Sequence, residues 1–279
     1  MESRHPTPLK RFFLLYLPLA IIMLLLLFPF YWTFITSIKA PEELYGAIVT
    51  YWPKNATFDS YIKLFTDFDF IKYMGHSLLV AAITTLVSLF VSVLASYSFS
   101  RFRFPGRKIL MSMFLTNNMF PTVLLLIPLY TIMRNLGILY TPMSLVLAYT
   151  TTAIPFSVWL LNGYMNDVPP ELEEAALVDG CNRAQAFIKI ILPTLVPCLI
   201  ATGVYIFMTA WNEYTFAVMF TNEASRTIPV ALKSLVGQLG VQWDLITAGG
   251  VITIIPVCVM FFFAQKHLVE GLTSGAVKG

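Results

Sequence analysis

Residues 171–193 read ELEEAALVDGCNRAQAFIKIILP, a charged segment set between two long apolar runs, and its local chemistry predicts a helical hairpin. Pro169 and Pro170 suit a helix start, because the amide that proline lacks has no intrahelical partner there. Glu171, Glu173 and Glu174 then place negative charge at the positive end of the helix dipole, so the first helix should span 170–178. Gly180 can take the left-handed conformation that closes a helix. Asn182 followed by Gln185 has the spacing of a capping box that opens a second one, which should run on into the next apolar run. Leu172, Ala175 and Ala176 give the first helix a shallow small-residue face that a groove on another protein would accept. The same residues also fit a solvated surface hairpin.

What surrounds the hairpin decides the class. Of 279 residues 57% are hydrophobic and 12% charged, about half the charged fraction of a soluble globular domain. Six runs, at 12–36, 77–99, 109–133, 142–164, 193–220 and 245–265, reach the length of about 20 apolar residues that spans a bilayer. The reading is an all-α polytopic membrane protein with six transmembrane helices. The first run is too long for a signal-peptide core and leads into Phe30, Tyr31 and Trp32 rather than a small-residue cleavage site, so it reads as an uncleaved span with an aromatic anchor.

The loop RFRFPGRK at 101–108 carries Arg101, Arg103, Arg107 and Lys108 with no acid. The positive-inside rule assigns it to the cytoplasm. The hairpin then lies on the same side, with both termini: a tail at 1–11 and another at 266–279. Segments 37–76 and 221–244 fall outside and are too small for cores of their own. The first of them mixes turn residues with pieces that suit small surface helices.

Several function classes are excluded or weakened. The basic residues flank the membrane and form no nucleic-acid patch. Cys181, Cys198 and Cys258 form no metal-ligand spacing and read as free thiols. His5, His76 and His267 are scattered, GHSLL at 75–79 lacks the second glycine of a hydrolase elbow, and no phosphate-binding loop is present. A nucleotide-driven process would therefore need its ATP site on another chain. A self-sufficient gradient-driven transporter needs ionisable groups or broken helices at mid-membrane depth, and the runs are almost free of charge.

The exception is Glu213, seven residues before Phe220 in the fifth run and so roughly 10 Å from its end. With Trp211 and Asn212 it forms a polar and aromatic patch that fits either an interhelical hydrogen bond or a sugar stacked on the ring. Thr84, Ser88, Ser92, Ser96 and Ser100 repeat every four residues, a stripe suited to close helix packing more than to a pore. Asn117 and Asn118, followed by Pro121 and Pro128, mark a helix able to bend and expose backbone.

Glu174-Ala175-Ala176, Asp179-Gly180, Phe187 and Ile191-Leu192-Pro193 resemble the EAA motif of ABC importer permeases. SYSFSRFRFPGR at 96–107, MFPTVLLLIPLY at 119–130, LGILYT at 136–141, AWNEYTF at 210–216 and GLTSGAVKG at the C-terminus are similar to the carbohydrate-uptake, maltose-type branch. Cys181, where the family usually has alanine, and Tyr140, where asparagine is common, are local departures. The resemblance implies a type I importer permease fold over 72–265, with the hairpin at 168–192 as coupling element. Glu174, Ala175, Ala176, Asp179, Gly180, Leu192 and Pro193 would then face an ATPase, and Asn117, Asn118, Trp211, Asn212 and Glu213 are candidates for the substrate pathway. It also implies no cofactor on this chain, ATP and Mg on two partner ATPase subunits, a second homologous permease, and an extracytoplasmic sugar-binding protein. In that branch the C-terminal tail contacts the ATPases, although its glycines and few large apolar groups predict an extended or loose segment when alone. An integral membrane enzyme and a secondary transporter remain the alternatives.

Overall fold

The structure, a computed structural model, describes residues 12–237 and 240–276. A π turn at Phe12–Tyr16 leads into α1 (Leu17–Ser37), whose apolar side chains are exposed all round from Phe12 to Tyr31, while Ile35, Thr36 and Ser37 at its end are buried. A helix apolar on every face and exposed on every face has lipid as its natural surroundings. The tail at 1–11 lies outside the described residues.

Two short helices, α2 (Pro41–Leu44) and α3 (Asp59–Thr66), follow as the sequence predicts, and α4 (Phe70–Arg101) is longer at both ends than the predicted 77–99. The third run bends, as Asn117, Asn118, Pro121 and Pro128 lead one to expect, but so sharply that its single span divides in two. It is not one helix over 109–133 but α5 (Arg107–Met119) and α6 (Thr122–Asn135), bent by 101°. Pro121 causes the break: it has no amide to donate and pushes Phe120 to an extended conformation, φ −77° and ψ 128°.

Next comes α7 (Pro142–Asp167), then α8 (Pro170–Val178) and α9 (Arg183–Thr194), the hairpin helices. The fifth run is also broken. It forms α10 (Val196–Trp211) and α11 (Thr215–Phe220) in place of one span over 193–220, and α9 meets α10 at 74° rather than continuing into it. Pro193 and Pro197 each remove an amide from this region, and the π turn at Phe187–Ile191 is the local adjustment. A short α12 (Ile228–Ser234) and a minimal ladder, β1 (Val236–Gly237) with β2 (Gly240–Val241), precede α13 (Trp243–Ala276). The last helix continues far past the predicted 245–265. The segment expected to be extended after Lys266 is helical to Ala276, because propagating a formed helix costs little even through Gly271 and Gly275. Among the described residues four helices alone, or six spans if each bent pair counts as one, are long and apolar enough to cross a bilayer.

The chain forms two compact units. In the larger, Ile71–Lys233 with Ile255 onward, α7 is the central element and packs along α5 and α10. Its buried residues join Val80, Met133, Trp211, Phe216 and Phe220 in the main core. Thr84, Ser88, Ser92 and Ser96 are all fully buried, so the small-residue stripe of α4 packs rather than lines a channel in this conformation. Helix α10 comes close to the neighbouring face of α4, where a Cβ on Gly203 would sit 3.2 Å from Leu89 Cδ1.

The smaller unit, the residues up to Phe70 with Ser234–Ile254, ties its loop to the end of α1. Glu43 accepts a hydrogen bond from the Thr50 hydroxyl and from the amides of Lys54 (2.9 Å) and Asn55 (3.3 Å). Lys39, buried, donates to the Thr50 carbonyl and lies 4.8 Å from the Trp32 ring centroid. The Tyr45 hydroxyl donates to Asp244 (3.0 Å) and accepts from the Trp243 amide (3.0 Å). The Thr50 hydroxyl bond, above all, holds the Glu43 carboxyl below the usual carboxylate range. A carboxyl depressed in the folded state stabilises above its unfolded pKa of about 4.3 and loses that contribution as pH falls through the lower folded value. The anchor should therefore hold from neutrality through the ordinary carboxylate range and weaken only as the pH falls below it. Fluorescence of the exposed Trp52 against pH reads this, and Glu43→Ala, which removes the acceptor altogether, should show the released signal at pH 7.

Candidate coupling hairpin and pathway residues

The first hairpin helix and the turn form where their sequence places them. Helix α8 runs Pro170–Val178, Gly180 takes φ +89°, and its amide returns to the Leu177 carbonyl (3.1 Å) while that of Cys181 returns to Ala176 (3.0 Å). Asn182 and Gln185 make both bonds of the capping box, each 2.9 Å. Orphan groups at both ends of the turn are thus satisfied without help from elsewhere.

Its two faces do different work. Glu173 and Ala176 turn inward and are buried, whereas Glu174, Ala175, Leu172, Val178 and Asp179 are exposed. One expectation needs correcting here: Ala176 does not belong to the outward face with Leu172 and Ala175, since it packs against the chain itself. Leu192 is half-buried, Pro193 is exposed, and Ile191 beneath them joins Met165 and Leu195 in a small core that seats α9.

The residues that hold the hairpin in place were not among those the sequence assigned to coupling. Glu173 pairs with the Arg101 Nε at 3.1 Å, both side chains less than a tenth exposed, and accepts from the Tyr97 hydroxyl at 2.5 Å. Arg101 also donates to the Val168 carbonyl (2.9 Å), just ahead of α8. Ser100 donates to Asn166 (2.8 Å) at the end of α7. Phe187 of α9 packs on Tyr97 with centroids 4.7 Å apart, and the Arg183 guanidinium lies 5.3 Å from the Phe102 ring centroid. Arg101 registers in the sequence as a marker of the cytoplasmic side and Glu173 as one of three acids at a helix start. Neither signal specifies a partner.

The pathway candidates separate into two groups. Asn117 and Asn118 are exposed in the last turn of α5, just before the 101° break, with the Asn118 amide bonded back to Phe114 (3.2 Å). Trp211, Asn212 and Glu213 lie at the break between α10 and α11. The Trp211 ring is buried and stacked on Phe207 (5.7 Å, 13°), so it offers no open face to a sugar in this conformation. Asn212 is exposed and bonds back to Met208 (2.9 Å). Glu213 accepts from the amides of Phe216 (2.9 Å) and Ala217 (3.1 Å), capping α11, and the buried Tyr149 faces the same carboxylate. The polar patch is therefore a helix start inside the apolar region, where otherwise unpaired amides need an acceptor. Among the described residues no hydrogen bond or ring contact joins Asn117 and Asn118 to this group.

Apolar helices of membrane-spanning length, some of them broken, with a polar hairpin clamped at one end, define an integral membrane protein. The comparisons agree. Residues 91–274 match the family described as "Binding-protein-dependent transport system inner membrane component", and the chain belongs to that family. It is 37% identical over 267 residues to the inner membrane ABC transporter permease protein YcjP of Escherichia coli (strain K12), covering 95% of each chain. It is 35% identical over 266 residues to the trehalose/maltose transport system permease protein MalG of Thermococcus litoralis, covering 93% of this chain and 95% of that one. Its fold matches a chain in the crystal structure of a bacterial ABC transporter involved in the import of the acidic polysaccharide alginate, with a TM-score of 0.82, 23% identity, and 95% and 100% coverage. This is a type I importer permease fold, and the chain is a multi-pass permease subunit rather than the subunit that hydrolyses ATP.

Proposed function

We propose that this permease forms half of the translocation pathway of an ATP-driven carbohydrate importer. Its hairpin is the element that docks on an ATPase subunit. The observation that carries the reading is the pre-formed hairpin: its turn and caps are internally complete, and the outward face of α8 stays free for a partner. The remaining parts are a second homologous permease, two ATPase subunits holding ATP and Mg, and an extracytoplasmic sugar-binding protein. The carbohydrate class rests on relatives such as the trehalose/maltose permease. Uptake of labelled oligosaccharides by reconstituted vesicles tests the whole. It should require ATP, the binding protein and both ATPases, and uptake by this chain alone would overturn the reading.

Orientation has its own test. With loop 101–108 and the hairpin cytoplasmic, Pro105→Cys in a background lacking the three native cysteines should react only with reagents that enter the cell, and Asn55→Cys with impermeant ones. Both positions are exposed loop residues. The opposite pattern would invert the topology.

A further inference from the structure

The hairpin has three possible mechanical routes into the membrane helices, and they differ in stiffness. The covalent route forward, from α9 into α10, passes a π turn and two prolines and bends by 74°. Such a joint interrupts the continuous helical hydrogen bonding that would make the route one straight rod. The covalent route back, into α7, is the non-helical Val168–Pro169 link. The third route is non-covalent and leads to α4.

Both hairpin helices are held to the end of α4. From α8, Glu173 takes the Arg101 and Tyr97 hydrogen bonds, two donors one helical turn apart on the same face of α4. From α9, Phe187 packs on Tyr97. A buried ion pair with satisfied geometry holds its partners in one arrangement, and losing one member leaves an uncompensated charge. Helix α4 is 32 residues long, about 48 Å at the α-helical rise, and its buried hydroxyl stripe reaches far from the hairpin.

We infer that Tyr97, Arg101 and Glu173 are positioning residues for coupling: they lock the hairpin to α4, so that displacement of the hairpin by the ATPase moves α4 as the same rigid body. The inference rests on the coupling role proposed for the hairpin. The lock transmits through the inward face, whereas Glu174 and Ala175 belong to the outward one.

The test uses the assembled transporter in lipid vesicles with its ATPases and binding protein. Glu173→Gln keeps the shape of the side chain and removes its charge. It should lower the sugar imported per ATP hydrolysed by about tenfold or more while hydrolysis continues, and exchanging the pair as Arg101→Glu with Glu173→Arg should recover part of that ratio. An unchanged ratio in Glu173→Gln would overturn the inference. A second measurement does not depend on any clamp variant folding. Spin labels at the exposed positions Leu94 and Ile188 should keep one separation in nucleotide-free and ATP-bound transporter. A change of about 5 Å, one helical turn, would overturn the rigid lock even where uptake is normal. Absence of ATP-driven uptake in the unaltered complex would instead remove the proposed coupling role itself, and with it this inference.

Discussion

Gly180→Pro should reduce ATP-driven uptake to the level of vesicles without ATPase, while insertion and span number stay unchanged. Gly180 has φ +89° and donates its amide to Leu177 at 3.1 Å. Proline holds φ near −65° and has no amide, so it removes both features on which the turn depends, at a cost of about 3 kcal/mol or more. The turn must rebuild, and the outward residues of α8 then lose their set relation to α9. Gly180→Ala separates strain from that rebuilding. Nothing lies within 4 Å of an added Cβ, so alanine carries only the left-handed penalty of about 1–2 kcal/mol and should retain substantial uptake. Equal uptake by the proline variant, at equal expression, would show that the turn has no part in coupling.

The second large effect concerns Glu213. Its carboxylate receives the amides of Phe216 and Ala217 at the start of α11, in the interior of an apolar region. Glu213→Ala leaves both donors without a partner, and each unmet buried group costs about 1–3 kcal/mol. The variant should therefore unfold earlier in detergent and transport poorly, with the loss greatest in stability. Glu213→Gln keeps an acceptor oxygen and should retain most of both. A residue that contacts the sugar would behave differently: alanine and glutamine would both impair uptake while thermal stability stayed at the level of the unaltered protein.

The hairpin was readable from sequence because every signal in it is local. Proline at the start, a left-handed glycine at the turn and an Asn–Gln capping pair each act within a few residues, and the helix limits 170–178 coincide with those observed. The breaks were less readable. Pro121 signalled the bend in the third run, but hydropathy reports length rather than direction, so the 101° angle was not legible. Glu213 likewise looked like a charge within a span because nothing local reveals that the helix stops at Trp211 and restarts at Thr215. The clamp is the clearest limit. Glu173 and Glu174 are neighbours of identical chemistry, and which of them turns inward is decided by an arginine 72 positions earlier in the chain. The last helix shows the reverse error: glycine content suggested a loose tail, yet helix already formed over Trp243–Lys266 extends to Ala276.

If the hairpin couples to an ATPase, α8 presents its outward face to that subunit. Val178 is 87% exposed at the end of α8. A photo-cross-linking side chain placed there in the assembled transporter, in membranes, should form its principal adduct with the ATPase subunit. Adducts only with lipid or with other parts of the permease, from a complex that still carries out ATP-driven uptake, would contradict the claim.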